Sequence, residues 1–128
     1  MKALLLTLTI SSLLLLSSCK SRDYSRHLEL SLLFYEAQRS GALPENNRIY
    51  YRHDSMLNAG NDVGLDLTGG YYDAGDNVKF NFPGAGTLTL IAWSGIDFQE
   101  GYKKAGQYKY MLDMVKWGTD YFLKCHPE

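Results

Sequence analysis

Two aspartates, Asp73 and Asp76, stand three residues apart in a segment that also holds Gly69, Gly70 and Gly75. A regular helix here would lose roughly 1 kcal/mol at each glycine relative to alanine, so the segment predicts a shaped loop. Two carboxylates on one tight loop can hold a water molecule and remove a proton from it. Asp and Gly also form ordinary turns and helix N-caps, and residue types alone favour that structural use.

Three helices are predicted to flank and position this loop. Apolar side chains recur at helical spacing from Ser25 to Arg39, and Ser25 is the predicted N-cap. A second helix is predicted from Gly84 to about Phe98 and a third from about Gln107 to Lys124. The segment Gln99–Gly106 contains two glycines and is interpreted as a connection between them.

The residues between 42 and 82 show no helical period. A span this long inside a compact domain is usually functional or disordered. It carries Tyr50, Tyr51 and Leu67 among other apolar residues, more apolar mass than a disordered linker holds. We therefore expect an ordered active-site loop system, with a short strand-like piece at Ile49–Arg52 and no extended sheet.

The first eighteen residues are typical of a secretory signal peptide. A short positive start precedes an apolar stretch from Ala3 to Leu16, which is shorter than the about 20 residues that span a bilayer. The prediction is a cleaved segment 1–18 and a secreted, extracellular protein without stable membrane association. The alternative is a retained or lipid-linked anchor, because Leu16-Ser-Ser-Cys19 could pass for a bacterial lipoprotein signal.

Charge and histidine placement exclude two classes of partner. The formal net charge is −1, so no basic patch is expected and nucleic acid is not a predicted partner. His27, His53 and His126 are far apart and show no metal-ligand spacing. No metal and no cofactor is predicted for this chain.

The segment Leu67–Pro83 resembles the signature of glycoside hydrolase family 9, the endoglucanases also called cellulase family E. Further matching segments are residues 31–41, 47–48, 52–55, 91–93 and 115–122. The resemblance runs from about Ser25 to Glu128 and is strongest to the animal enzymes. It implies an all-α fold: the N-terminal portion of an (α/α)6 barrel, with three helices, a long ordered loop and an incomplete barrel that leaves helix faces exposed. Residues 19–128 would then be the N-terminal part of a catalytic domain.

The resemblance also implies the chemistry, which is inverting hydrolysis of β-1,4-glucosidic bonds in cellulose or a related β-glucan. Asp76 takes the general-base position, and Asp73 helps to position the same water. The family's proton donor is a glutamate far beyond Glu128, and Glu100 and Glu128 match no family motif. These residues alone are therefore expected to be inactive and to need the C-terminal part of the domain as a partner.

Residues around the aspartates are assigned supporting roles. Arg52 and Asp54 are predicted to form an ion pair that fixes the loop. The flanking residues Tyr71, Tyr72, Asn77 and Lys79 are predicted to shape it. Substrate-binding residues are not assigned.

One departure and one alternative remain. Gly84-Ala-Gly86 stands where the family has Met-Ala, and two glycines should loosen the first turn of the second helix. The alternative function is a truncated, non-catalytic glucan-binding or decoy protein.

Overall fold

The computed structural model of the protein describes residues 22–127. The predicted signal segment 1–18, Cys19 and Glu128 lie outside the described residues. These described residues form four α-helices: α1 (Tyr24–Glu36), α2 (Asn81–Asp97), α3 (Gln99–Lys104) and α4 (Tyr108–Lys124). A 3-10 turn at Asn61–Val63 lies in the loop region. Residues 22–127 contain no β-strand, which confirms the all-α class, and none of their helices is long and apolar enough to cross a membrane.

The helix starts differ from the predicted ones for identifiable reasons. The N-cap of α1 is Asp23, not Ser25, since the Asp23 carboxylate accepts a hydrogen bond from the Arg26 N–H at 2.9 Å. The α2 helix begins at Asn81, three residues before Gly84, and takes Pro83 into its first turn. Proline is tolerated there because the first turn has no intrahelical acceptor for its missing N–H.

The predicted connection between the second and third helices is itself a helix, α3. Its Tyr102 is buried, and the Tyr102 hydroxyl lies 2.8 Å from the Ser94 hydroxyl on α2. Gly106 ends the connection in the left-handed region, with φ of +67°. The two glycines of this segment led to the prediction of a connection, but burial of Tyr102 against α2 stabilises a helix here.

The core lies where α2 and α4 pack together, with α1 and α3 closing its sides. Its buried members are Leu32, Leu88, Tyr102, Met111 and Met114. The two long helices approach closely at Gly118, because a Cβ there would overlap the side chain of Leu88. Large apolar side chains on α2 stay exposed, as expected for an incomplete barrel: Phe82, Leu90, Trp93 and Ile96.

A buried ion pair joins the end of α1 to the loop region. The Arg48 Nε lies 2.9 and 3.0 Å from the two carboxylate oxygens of Glu36, which is only 2% exposed. The Arg48 Nη1 also donates to Gln107 at 3.2 Å, and the guanidinium lies 3.5 Å from the Tyr110 ring centroid. A buried carboxylate requires such a partner, so this cluster fixes the start of the loop region against α4.

The loop region is ordered by isolated contacts instead of strands. Two antiparallel bridges join Arg39 to Tyr71 and Gly41 to Ser55. The strand-like piece predicted at Ile49–Arg52 is wrong, because the Arg52 N–H donates to the Ile49 carbonyl at 3.2 Å and closes a turn.

Candidate active site

Asp73 and Asp76 lie on a tight exposed turn, residues 73–78, which we call the aspartate loop. The Asp73 N–H donates to the Val78 carbonyl at 2.9 Å, and one Asp76 carboxylate oxygen accepts the Val78 N–H at 3.3 Å. Asn77 completes the turn with φ of +58°, in the left-handed region that asparagine tolerates. The Asp73 carboxylate forms no hydrogen bond within residues 22–127. Both aspartates are exposed, and within residues 22–127 one Asp76 oxygen and both Asp73 oxygens have no hydrogen-bond partner.

Residues 66–72, the anchored segment, hold the base of that loop. The Gly70 carbonyl accepts two hydrogen bonds, from the Ser40 N–H at 3.0 Å and from the Trp117 indole at 2.9 Å. Gly70 has φ of +72°, and a Cβ there would lie 2.6 Å from the Tyr121 ring. Glycine is required here by both the backbone conformation and the close packing against α4.

Two tyrosines continue the anchoring into the loop. The Tyr71 hydroxyl donates to the Met114 carbonyl at 3.0 Å, and burial raises the pKa of Tyr71 to about 12. Tyr72 is buried, and its hydroxyl donates to the Ser55 hydroxyl at 2.8 Å. These hydrogen bonds fix the two residues that lead into the aspartate loop, in agreement with the predicted shaping role.

Lys79, the residue after the aspartate loop, is bonded to the anchored segment before it. Its Nζ donates to the Leu67 carbonyl at 2.6 Å and the Gly69 carbonyl at 3.1 Å, and lies 4.5 Å from the Tyr121 ring centroid. Burial lowers the pKa of Lys79. The ammonium group is thus committed to the backbone of the anchored segment.

Sequence reasoning missed a further contact between the anchored segment and α4, which we call the Asp66 clamp: the ion pair of Asp66 with Lys124. The Lys124 Nζ lies 2.9 Å from Asp66 and 3.0 Å from the Thr68 hydroxyl. Asp66 also accepts the Thr68 hydroxyl at 2.6 Å and the Thr68 N–H at 2.9 Å. The Thr68 hydroxyl, then Lys124 and then the Thr68 N–H hold the pKa of Asp66 well below its ordinary value. The Asp-x-Thr spacing, typical of an Asx turn, was the available signal.

The predicted ion pair between Arg52 and Asp54 is wrong. Asp54 instead accepts the Leu43 N–H at 2.8 Å, and none of the ion pairs among residues 22–127 joins Arg52 to Asp54. The Arg52 guanidinium lies 5.8 Å from the Tyr72 ring centroid. Each residue supports the loop region, but through a different partner.

Two concave spaces flank the aspartate loop. A cavity of about 90 Å³ is bordered by Asp73, Lys79 and Asn81 among others. Asn77 forms part of the wall of an open groove of about 330 Å³. Small-molecule sites occupy about 300–1,000 Å³, so only the groove has the size to accept a sugar unit.

The described residues bring no three His, Cys, Asp or Glu side chains together as a metal site requires. That the protein works without metal or cofactor stays a prediction.

The described residues thus combine packed helices with a pair of exposed aspartates on an anchored loop. The chain belongs to glycosyl hydrolase family 9, whose family model matches residues 24–128.

Curated relatives carry endoglucanase names. Endoglucanase 6 of Arabidopsis thaliana is 49% identical over 124 residues, 93% of this chain and 20% of the relative. Endoglucanase 4 of Bacillus sp. (strain KSM-522) is 55% identical over 104 residues, 81% of this chain and 16% of the relative. The chain thus spans about a fifth of the length of these relatives.

Solved structures show the same likeness. The endoglucanase of the termite Nasutitermes takasagoensis matches with a TM-score of 0.81 and 55% identity, over 84% of this chain and 25% of that one. The cellulase Cel9M of C. cellulolyticum matches with a TM-score of 0.81 and 42% identity, over 84% of this chain and 26% of that one. The fold is therefore a portion of the family's (α/α)6 barrel. The termite and Bacillus identities are equal, so the narrower likeness to animal enzymes stays a prediction.

Proposed function

We propose that this chain supplies the general-base loop of an endo-β-1,4-glucanase that hydrolyses cellulose or a related β-glucan with inversion. The observation that carries this proposal is the aspartate loop, whose two exposed carboxylates directly follow the anchored segment that Trp117 and Lys124 bond to α4. The relatives support the substrate class, because Cel9M was solved in complex with cellobiose and CelQ of Clostridium thermocellum with cellotetraose.

In this proposal Asp76 acts as the general base. One of its oxygens is held by the Val78 N–H, and the other is available to take a proton from water. Asp73, whose carboxylate stays open to solvent, holds the same water in place. The water attacks the anomeric carbon, the glycosidic C–O bond breaks, and the departing oxygen takes a proton from a second carboxyl group roughly 6.5–9.5 Å from the base.

In this proposal the proton donor lies in a part of the family's catalytic domain outside the fifth of the relatives' length that this chain spans. Glu100 does not take that role, because it is exposed on α3 and pairs with Lys103 at 2.9 Å. Glu128 lies outside the described residues and matches no motif. We therefore infer that residues 1–128 alone do not turn over glucan and that the rest of a catalytic domain is their required partner.

The proposed site of action is outside the cell, with residues 1–18 as the export signal. This proposal rests on the apolar stretch Ala3–Leu16 and its charged flanks.

The experiment uses the natural-length protein, as the cell produces it, with soluble carboxymethylcellulose and cellotetraose as substrates. Proton NMR during the first turnovers should show the α-anomer of the new reducing end, because inversion converts a β-bond to an α-product. The α-1,4-glucan amylose serves as the control and should not be cleaved. Binding of cellotetraose without any hydrolysis would replace the enzyme by the glucan-binding alternative, and an initial β-anomer would contradict the inverting mechanism.

A further inference from the structure

We propose that Tyr121, on α4, positions the aspartate loop by holding the chain on both sides of it. Its ring supports the anchored segment, which leads into the loop. The same side chain holds residues 79–81, which lead out of the loop and which we call the exit segment. Tyr121 acts through the loop and not on substrate, so it is a positioning residue. The predicted effect on turnover rests on the proposed function.

The anchored segment packs against the Tyr121 ring through two glycines. A Cβ at Gly70 would lie 2.6 Å from two carbons of the ring, and a Cβ at Gly69 would lie 4.0 Å from the Tyr121 Cβ. Both glycines have positive φ, +91° at Gly69 and +72° at Gly70, which brings the backbone this close to α4. The ring therefore supports the backbone just before Asp73.

The exit segment reaches the same ring through two polar side chains. The Tyr121 hydroxyl donates a hydrogen bond to the Asn81 side-chain oxygen at 3.1 Å. The Lys79 Nζ lies 4.5 Å from the ring centroid, and it donates to the carbonyls of Leu67 and Gly69. One aromatic side chain thus contacts the chain before and after the loop, and Lys79 bonds these two parts of the chain to each other.

Tyr121 is suited to be a fixed support because the fold holds it in place. Its side chain is buried on α4, and a tyrosine has only two side-chain torsions to restrain. Burial also raises the pKa of Tyr121, so the hydroxyl remains a hydrogen-bond donor at neutral pH. The bond to Asn81 therefore keeps the same donor over the working range of pH.

The aspartate loop depends on these neighbours for its orientation. Its turn bonds run from the Asp73 N–H to the Val78 carbonyl and from the Val78 N–H to the Asp76 carboxylate, so both stay inside the loop. They fix the shape of the turn but not its angle to α4. Misplacing a reacting group by about 1 Å can cost on the order of 100-fold in rate. Loosening the exit segment should therefore lower kcat more than it raises KM.

The test compares two buried tyrosines that each lose one hydroxyl, in the natural-length protein acting on soluble carboxymethylcellulose. Tyr121→Phe keeps the ring and removes the bond to Asn81, and should lower kcat about fivefold with KM within about twofold. Tyr102→Phe is the matched control, because its hydroxyl contacts Ser94 near the opposite end of α2 from the loop. It should keep kcat within about twofold. Urea unfolding should show similar stability in both variants.

Substitutions at Asn81 test the same bond from its other side. Asn81→Ala should lower kcat as Tyr121→Phe does, and the double variant should be no slower than either single variant, because both changes remove one shared bond. Asn81→Asp keeps an acceptor oxygen at the first position of α2, where a negative charge is favourable, and should retain the rate. Asn81 is exposed, so its variants should fold whether or not Tyr121→Phe does.

A wild-type kcat in Asn81→Ala, or in a folded Tyr121→Phe protein, would overturn the positioning role. An equal loss of kcat in Tyr102→Phe would also overturn it, because general loosening of the fold would then explain the effect. Losses that multiply in the double variant, or a change in KM alone, would do the same.

Hydrogen exchange over residues 66–84 measures how firmly the loop is held, without any turnover. This segment should exchange at least about threefold faster in Tyr121→Phe and Asn81→Ala than in Tyr102→Phe. A protein that shows this difference and never hydrolyses β-glucan keeps the positioning role and loses the proposed function. A protein that hydrolyses β-glucan, with equal exchange and equal rates in all three variants, keeps the function and loses the positioning role.

Discussion

The anchored segment and the aspartate loop adjoin in the chain and differ in almost every physical respect. In the anchored segment, Gly70 and Tyr72 are buried, and backbone carbonyls are bonded to α4 and to the segment after α1. In the aspartate loop, every residue from Asp73 to Val78 is exposed, and its turn bonds are made within the loop itself. The fold fixes the base of the loop and leaves the carboxylates to water and ligand.

This contrast separates stability from chemistry. The anchored segment is bonded to α4, so the loss of one of these contacts should lower the free energy of unfolding. A carboxylate on the loop touches little of the protein, so its loss should change activity and leave stability almost unchanged.

The largest difference in unfolding free energy should appear when glycine is replaced by alanine in the anchored segment and, separately, in the aspartate loop. Gly70→Ala forces a Cβ to 2.6 Å from the Tyr121 ring at a φ of +72°, and should cost about 2–4 kcal/mol of unfolding free energy. Gly75→Ala meets open space and should change it by less than about 1 kcal/mol. Urea unfolding followed by circular dichroism measures both variants.

Equal losses of unfolding free energy in Gly70→Ala and Gly75→Ala would contradict the contrast between the anchored segment and the aspartate loop. So would a Gly70→Ala protein as stable as the original, because the Tyr121 ring would then be free to move away.

A smaller effect should appear as a pH dependence of the Asp66 clamp. Thr68 and Lys124 hold the pKa of Asp66 below its ordinary value of about 3.9, so the folded state binds fewer protons than the unfolded state below that pH. The stabilisation is therefore present above about pH 3.9 and is lost as the pH falls towards the lowered pKa of the folded state. The stability gap between the original protein and Asp66→Asn should narrow from about pH 6 to about pH 3, measured by urea unfolding.

Thr68→Val provides the matched check, because it removes the hydroxyl that contributes most to this shift. In a Thr68→Val background, the stability difference between the protein with Asp66 and its Asp66→Asn variant should lose most of its dependence on pH. A gap that does not vary with pH would show that Asp66 titrates alike in the folded and unfolded protein.

The features that the sequence predicted are those that apolar periodicity and glycine placement determine. The three long helices followed from apolar spacing, and the loop followed from glycines that a helix would not accept. The exposed position of both aspartates agrees with a loop assignment. Their roles came from the family motif and stay proposals.

What the sequence did not predict depends on distant partners. The clamp between Asp66 and Lys124 joins residues 58 positions apart, and α3 is stabilised by burial of Tyr102 against α2. The Arg52–Asp54 pair was wrong because closeness in sequence does not decide which partner a side chain reaches in the fold. Neither the Asp66–Lys124 contact nor the burial that stabilises α3 has a local sequence signal strong enough to outweigh helix and turn propensities.

The most direct test of the account compares Asp76→Ala with Asp62→Ala in the natural-length protein, by initial rates on soluble β-1,4-glucan. Both aspartates are exposed, so neither change should alter the fold, which thermal unfolding checks. Asp76→Ala should lose at least about 100-fold in kcat, the scale of positioned base catalysis, and Asp62→Ala should keep its rate. Wild-type rates in Asp76→Ala would contradict the claim that this loop carries the base.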